Sequence, residues 1–592
     1  MTMGRTGRTY GRILIAVAAM MAVCRPVHAQ DISQIAKSDP LVMTGAIGTN
    51  NTYFYSSMGG FGANPLSNSV YANLNISLYG LSMPFSFFYA NNNTSFSYPH
   101  YSFNISPSYK NWTLHIGQRS MPFTSYVFNM SFNGVGLEYK SRKLRAGAFY
   151  GTLKKAINDD PADPTSRRPQ FRRVAYGAKV GYGSGTRYLD LYFLNAFDIE
   201  SSIDPLWNDP DILKQRRMQP LAAQENIVVG AKGHFAIGKN VSVSGNLATS
   251  VFSNDVSAEQ VHIDRIDWFG KVFDTRYSTL ARMAGDVGLN LSLSKFNAAL
   301  TYKMIQPDYK SLGISYISNN MQSLGVNMGT TLAGKIALSG GFAGQSDNLS
   351  GNQLYTTKGF VYNAAASMRM KRGIALTASY NGFRQTQAAG TAVLNDSIKV
   401  DRIMNSFSIV PSYGFETDGL SHSISLSANL TSNKDLNRFA DGTTDVTTYA
   451  AGLNYNLGIN AIESDVSFSY SHQGSEGYET HYTSDIFSVG SGHSFLKDKT
   501  LNVSASVVFC HNLMEGQSRN FSIGADCQVG YTLKEVHVFS FSTSFNQYHV
   551  RDYTAQWASG YFDYSMSLNY SYTFTLLRLE KKSKEDSAAK TK

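Results

Sequence analysis

Beyond its first 29 residues the chain has no run of 18 or more apolar residues, so it holds no segment that would cross a bilayer as a helix. Charge is also scarce. Only 16% of residues are Asp, Glu, Lys or Arg, against ~25% in ordinary soluble domains. Signatures of catalysis are missing too. None of the histidines stands in an HExxH spacing, and there is no GxSxG elbow, P-loop or GxGxxG strand-to-helix turn. These absences exclude a helical membrane protein and argue against zinc proteases, serine hydrolases and nucleotide-binding enzymes. The closest approach to a metal or base cluster is "SHQGSEGYETH", with His472, Glu476, Glu479 and His481, whose place in a hairpin loop favours plain solvation. No catalytic, cofactor-binding or metal-binding residues, and no cofactor, are expected.

Cysteine is nearly absent, with three residues. Cys24 lies in the leader, where Val23 before it and Arg25 after it disfavour lipoprotein processing. Cys510 follows the apolar row Val503, Ala505, Val507, Phe509 and so falls on the polar face of its segment, whereas Cys527 shares the face of Phe521, Ile523 and Ala525. Pointing to opposite sides of a wall, the two are not placed to form a disulfide.

The leader itself is present. Arg5, Arg8 and Arg12 precede the apolar stretch Ile13 to Val23, and Val27-His28-Ala29 offers small residues for cleavage, the pattern of a secretory signal peptide over residues 1–29. Its removal takes four arginines and no acids, bringing the formal charge from +10 to +6. That balance does not point to nucleic acid.

Aromatics reach 13%, with 36 Tyr and 35 Phe, and apolar residues recur at every second position. In "HSISLSANLTSN", Ile424, Leu426, Ala428 and Leu430 alternate with Ser423, Ser425, Ser427, Asn429 and Thr431. Such a strand has one apolar and one polar face. The pattern repeats in "YANLNISLYG", "SDVSFSYSH", "NVSVSGNLATSVF" and "GIALTASYNGF", and no composition break marks a second domain. A soluble chain of this length would split into sandwiches with linkers. A spanning protein without helices must close its sheet. The expectation is therefore an all-β fold: a single transmembrane antiparallel β-barrel over residues 42–579, apolar rows toward lipid. At roughly 20–24 residues per strand and turn, it would have about 24 strands (22–26). A phase slip in "SFSYPHYSFNIS", where Pro99 stands between the two phases, reads as a strand end or bulge.

The short segment 30–41 precedes the barrel, which speaks against a plugged, energy-coupled receptor. The charged tail 580–592, "EKKSKEDSAAKTK", reads as a disordered periplasmic extension. Before it, "YFDYSMSLNYSYTFTLLRL" alternates aromatic and polar residues, resembling the terminal strand that barrel-assembly machinery reads. Long polar insertions at Lys154–Arg173, Ser201–Glu225, Asn254–Arg276 and Asn433–Asp445 are extracellular-loop or plug candidates. The first gathers Arg167, Arg168, Arg172 and Arg173, an anion-binding or lipopolysaccharide-facing candidate weighed against a solvated loop.

Several stretches together, "LYGLSMPFSFFYANNNTSF", "RRVAYGAKVGYG", "AQENIVVGAKGHFAIGKNVSVSGNLA", "YKSLGISYISNN" and "GKIALSGGFAGQSDNL", resemble a family of large, poorly characterised outer-membrane β-barrel proteins of Bacteroides-type bacteria. The resemblance implies an outer-membrane location and a barrel fold, and carries no functional residues. Two functions fit: a pore or transport channel whose lumen-facing Ser, Asn and Thr rows set selectivity, and a non-enzymatic scaffold subunit of an assembly or secretion complex with a blocked lumen. Outer-membrane lipid is the expected partner, joined in the second case by other envelope proteins or lipoproteins.

Overall fold

The computed structural model describes residues 41–59, 65–79, 81–91, 101–163, 165–261, 273–496, 498, 500–551 and 560–579. The leader, the segment 30–41 up to residue 40, the charged tail and Pro99 lie outside these residues. Twenty-seven strand segments, β1 (Leu41–Ser56) to β27 (Tyr561–Leu579), form one antiparallel sheet. The sheet closes where β1 pairs with β27 from Leu41↔Leu579 to Ser56↔Asp563. Two segments, β4 (Tyr101–Ile105) and β5 (Ser108–Tyr109), lie end to end between β3 (Leu81–Ala90) and β6 (Trp112–Ser120). They share one stave, so the barrel has 26 staves. The described break in this stave falls at Ser106-Pro107, where Pro107 has no amide to donate to a ladder. From Leu41 to Leu579 each stave takes about 21 residues, the short end of the expected repeat.

Both ends of the barrel segment lie at one rim, and every connection longer than five residues lies at the other. The described residues of the insertions at 154–173, 201–225, 254–276 and 433–445 all belong to this long-loop rim. Helical structure is limited to short pieces. The longest among the described residues is α1 (Pro210–Arg216), capped by the Asp209 side chain, which accepts from the Asp211 and Ile212 amides.

Residues opposite one another on neighbouring strands share a face, so the ladder carries a facing assignment around the wall. Leu426 and Leu430 of β20 (Leu420–Asp435) stand opposite Leu453 and Tyr449 of β21 (Val446–Ile459). They are 51% and 50% exposed, with no protein packed over them. Ser427, between them, sits on the other face. The outer surface is thus an apolar band, as a barrel presents to hydrocarbon. Paired rings edge it at both rims: Phe415–His422 and His537–Tyr572, both stacked, toward the short turns, and the stacked Phe521–His549 and tilted Tyr55–Phe562 toward the long loops. Cys527 stands opposite Ala505 and Thr543 on this outer face, and Cys510 lies on the lumenal one; both are free thiols.

Of the "SHQGSEGYETH" residues, His472 and Glu476 lie on β22 (Ser464–Gly477) and His481 on β23 (Thr480–Phe495), not in a loop, and they split between two pairs: His472 with Asp485 at 2.9 Å and His481 with Glu476 at 3.7 Å.

Candidate functional site in the barrel lumen

Among the described residues, every buried hydrophobic side chain lies between Ala90 and Ile314. The barrel is therefore packed on one side. Its main core is lumenal. It joins inward residues of eight consecutive strands, β7 (Ser131–Lys140) to β14 (Phe296–Ile305), to two segments from the long-loop rim, Met121–Met130 and Gln306–Asn320. The ladder from β14 onward puts this face in line with Ser406, Ser408, Asn429 and Thr431, the polar inner rows.

Aromatic packing seats the first segment. Phe149 of β8 (Leu144–Lys154) stacks between Phe132 at 4.5 Å and Phe128 at 4.6 Å, and Phe123 lies 5.4 Å from Tyr192. Such pairs add ~0.5–1.5 kcal/mol each to the burial of their surface. Gly230 of β11 (Glu225–Ile237) makes room: a Cβ there would lie 2.6 Å from Val127 Cγ2. The Tyr126 hydroxyl donates to Asp286 at 2.8 Å, and burial, together with this carboxylate, holds the phenol far above its ordinary pKa.

Hydrogen bonds lock the second segment over the first. The Tyr309 hydroxyl donates to the Tyr126 carbonyl and the Ser311 hydroxyl to the Val127 carbonyl, both at 2.7 Å, while the Asn129 amide donates to Gly313 at 3.0 Å. Gly313 is obligatory here, since a Cβ would come 2.5 Å from Leu194 Cδ2 and 2.7 Å from Phe128 Cδ2. Asn226 joins the segment to the wall. Fully buried, it accepts from the Leu312 amide at 3.0 Å and donates to Ser250 Oγ at 2.7 Å and the Val251 carbonyl at 2.9 Å. Ser250 in turn donates to the Lys310 carbonyl.

Ion pairs line the wall around this core. Glu138 takes His115 at 3.0 Å on one oxygen and Lys179 on the other, Arg145 meets Asp190 at 2.7 Å, and Arg173 meets Asp198 in a two-pronged bond at 2.8 and 3.0 Å.

The four arginines singled out in the sequence separate. Arg167 pairs with Asp159 in the loop, which lowers that carboxyl to about 2. Arg168 and Arg172 are exposed, the Arg172 amide donating to Ser202. Arg173 lies in β9 (Arg172–Ser184), turned into the lumen. Arg216 ties the loop to α1's segment through the carbonyls of Ser166, Pro161 and Asp163 while lying 5.0 Å over Trp207. The lumenal segments were not singled out from sequence; their signal is apolar and aromatic density without alternation, in "MPFTSYVFNM" and "PDYKSLGISYI".

No protein-family model and no curated protein matches the chain. Solved structures with a similar arrangement include the P pilus usher PapC translocation pore, with 10% identity and a TM-score of 0.36 over 90% of this chain and 100% of that one. Acinetobacter baumannii OccAB2 gives 11% identity and a TM-score of 0.29 over 60% and 94%. The outer membrane protein OpdK of Pseudomonas aeruginosa gives 11% and 0.28, again over 60% and 94%. Likenesses this distant leave the reading of function to the chain's own residues.

Proposed function

We propose that the protein is an outer-membrane channel, a pore constricted on one side by the segments Met121–Met130 and Gln306–Asn320. The observation that carries this is the lopsided interior. From β17 (Tyr355–Arg369) through β27 no described hydrophobic side chain is buried, and the inward rows are mostly Ser, Asn, Thr and Gly, with scattered apolar residues such as Val361, Phe383 and Ile486 that no core covers. A wall of that chemistry with no core against it is wetted, and the remaining lumen is a water path past a fixed obstruction. The apolar outer band and its ring girdles place the barrel in the outer membrane. In planar bilayers the purified barrel is expected to show stepwise conductance, and loss of the contact between the two segments should enlarge or destabilise the steps. A bilayer that stays silent with correctly folded protein refutes the channel.

The scaffold reading draws on one observation. The loops 390–400 and 436–445, joined by Asn437 donating to the Asp396 and Lys399 carbonyls, expose Val393 at 95% and Phe439 at 54%. Apolar tips outside the membrane suit a protein partner. A mild-detergent pull-down that returns stoichiometric envelope proteins favours the scaffold; a barrel recovered alone favours the channel.

A further inference from the structure

At the long-loop end of the lumen three cations converge on one carboxylate. The ladder between β8 and β9 slips after Thr152, and this bulge sets Lys154 opposite Arg173. Arg173 in turn stands opposite Asp198 of β10 (Arg187–Ile199), which takes both prongs of its guanidinium. From the inserted segment, Lys310 reaches the same place. Its ammonium donates to Gln224 Oε1 at 3.3 Å, the atom that also accepts from Arg173 Nη2 at 3.3 Å, and lies 4.5 Å over the Phe252 ring.

The balance of charge is uneven. Asp198 is consumed by Arg173, whose side chain is only 12% exposed. Lys154 has no hydrogen-bond or ion-pair partner among the described residues, and it faces a like charge directly across the ladder, an arrangement that costs stability. Burial and the neighbouring Arg173 and Lys154 also pull the Lys310 ammonium below its ordinary pKa, Asp198 opposing them. Among the described residues, the two half-buried ammonium groups flanking the Arg173 guanidinium have no compensating anion beyond the shared Asp198.

We propose that Lys154, Lys310 and Arg173 form a binding site for a small carboxylate- or phosphate-bearing solute in the lumen. The two ammonium groups hold separate oxygens of the anion, and Arg173, fixed by Asp198, supplies the field behind them. Phe252 provides an apolar wall beside Lys310. The site's role in selecting what passes rests on the channel reading; the binding does not. Of the arginines in the neighbouring loop, Arg167 has no part in it, being spent on Asp159.

The test is calorimetric titration of the detergent-folded full-length barrel with inorganic phosphate and, separately, with acetate. Wild type is expected to bind at least one of them. The K154Q/K310Q double variant should weaken binding about tenfold or more, since two charge-assisted hydrogen bonds are lost, and R167Q should leave it unchanged. Heat-modified gel migration checks folding, and K310Q alone carries the test if the double variant does not fold. Phosphate uptake without acetate assigns the site to phosphate groups; uptake of both assigns it to oxyanions at large. Failure of wild type to bind either anion, or equal binding by the lysine variants, overturns the site. A barrel that binds without conducting refutes the channel and leaves the site standing.

Discussion

Asn226 is the wall side chain that accepts the Leu312 amide, and its loss should loosen the inserted segment. Asn226→Ala removes three hydrogen bonds, of which the one from the Leu312 amide joins the segment to the wall, the other two going to Ser250 and Val251 of the wall itself. The joining bond is worth ~0.5–1.5 kcal/mol net, and the Leu312 amide, left buried without an acceptor, adds ~1–3 kcal/mol. Ser250 keeps its bond to the Lys310 carbonyl, so about 2 kcal/mol is a fair sum, a factor of ~30 in the ratio of undocked to docked segment. Hydrogen exchange read by mass spectrometry on a peptide spanning 306–320 measures that ratio whatever its starting value. Exchange there should speed up ~30-fold, while β20 is unaffected. A change under about threefold, in a variant whose barrel migrates normally, would refute the assignment of Asn226 as the anchor.

Leu426→Arg puts a charge on the outer band and should cost ~2–4 kcal/mol if it lies near the bilayer midplane, whereas Ser427→Arg, into the lumen, should be much milder; denaturant unfolding in lipid separates them, and equal costs would contradict the facing. A water-soluble maleimide should label Cys510 in vesicles and spare Cys527, so that Cys510→Ser abolishes labelling; labelling that survives the substitution counts against the wall geometry. The Asp159–Arg167 pair predicts an acid limit for its loop. Because the folded carboxyl is lowered from 3.8 to about 2, its contribution is complete above pH ~4 and is lost as pH falls through about 2. Protease resistance of residues 155–171 should hold from pH 7 to 5, and Asp159→Asn should reduce it at neutral pH; a loss near pH 6 would point to other groups.

Barrel and facing were legible in the sequence because lipid enforces them at every second residue, so "HSISLSANLTSN" declares both its strand and its sides. The opposed thiols follow from the same parity. The strand number was legible only through an average repeat, and the short turns of this barrel bring it to 26. The lumenal site was not legible. Its partners are far apart in sequence, Tyr126 with Tyr309 and Val127 with Ser311, and no local period marks a segment whose apolar residues face a wall built from eight separate strands. The arginines separate for a related reason. Arg167 and Arg173 are six residues apart but belong to a loop and a strand; Arg167 is held by Asp159 of its own loop, and Arg173 by Asp198, a ladder partner that proximity in sequence does not reveal.

The wall carries the complementary trace of what it holds. Where the inner rows face water they are mostly Ser, Asn, Thr and Gly, residues that a lumen hydrates at little cost. Beneath the inserted segments the same rows hold Phe132, Phe149, Leu194 and Val228, with Gly230 where Val127 presses closest. Those aromatic and aliphatic side chains would be exposed to lumenal water if the segments left, so the wall itself opposes an empty barrel. Each fully buried side chain of that size is worth ~1.5–3 kcal/mol, and several act together. The first segment is therefore the fixed part of the obstruction. The second, held chiefly by hydrogen bonds through Asn226, Tyr309 and Ser311, is the part that a modest perturbation can release, and it is also the part that carries Lys310.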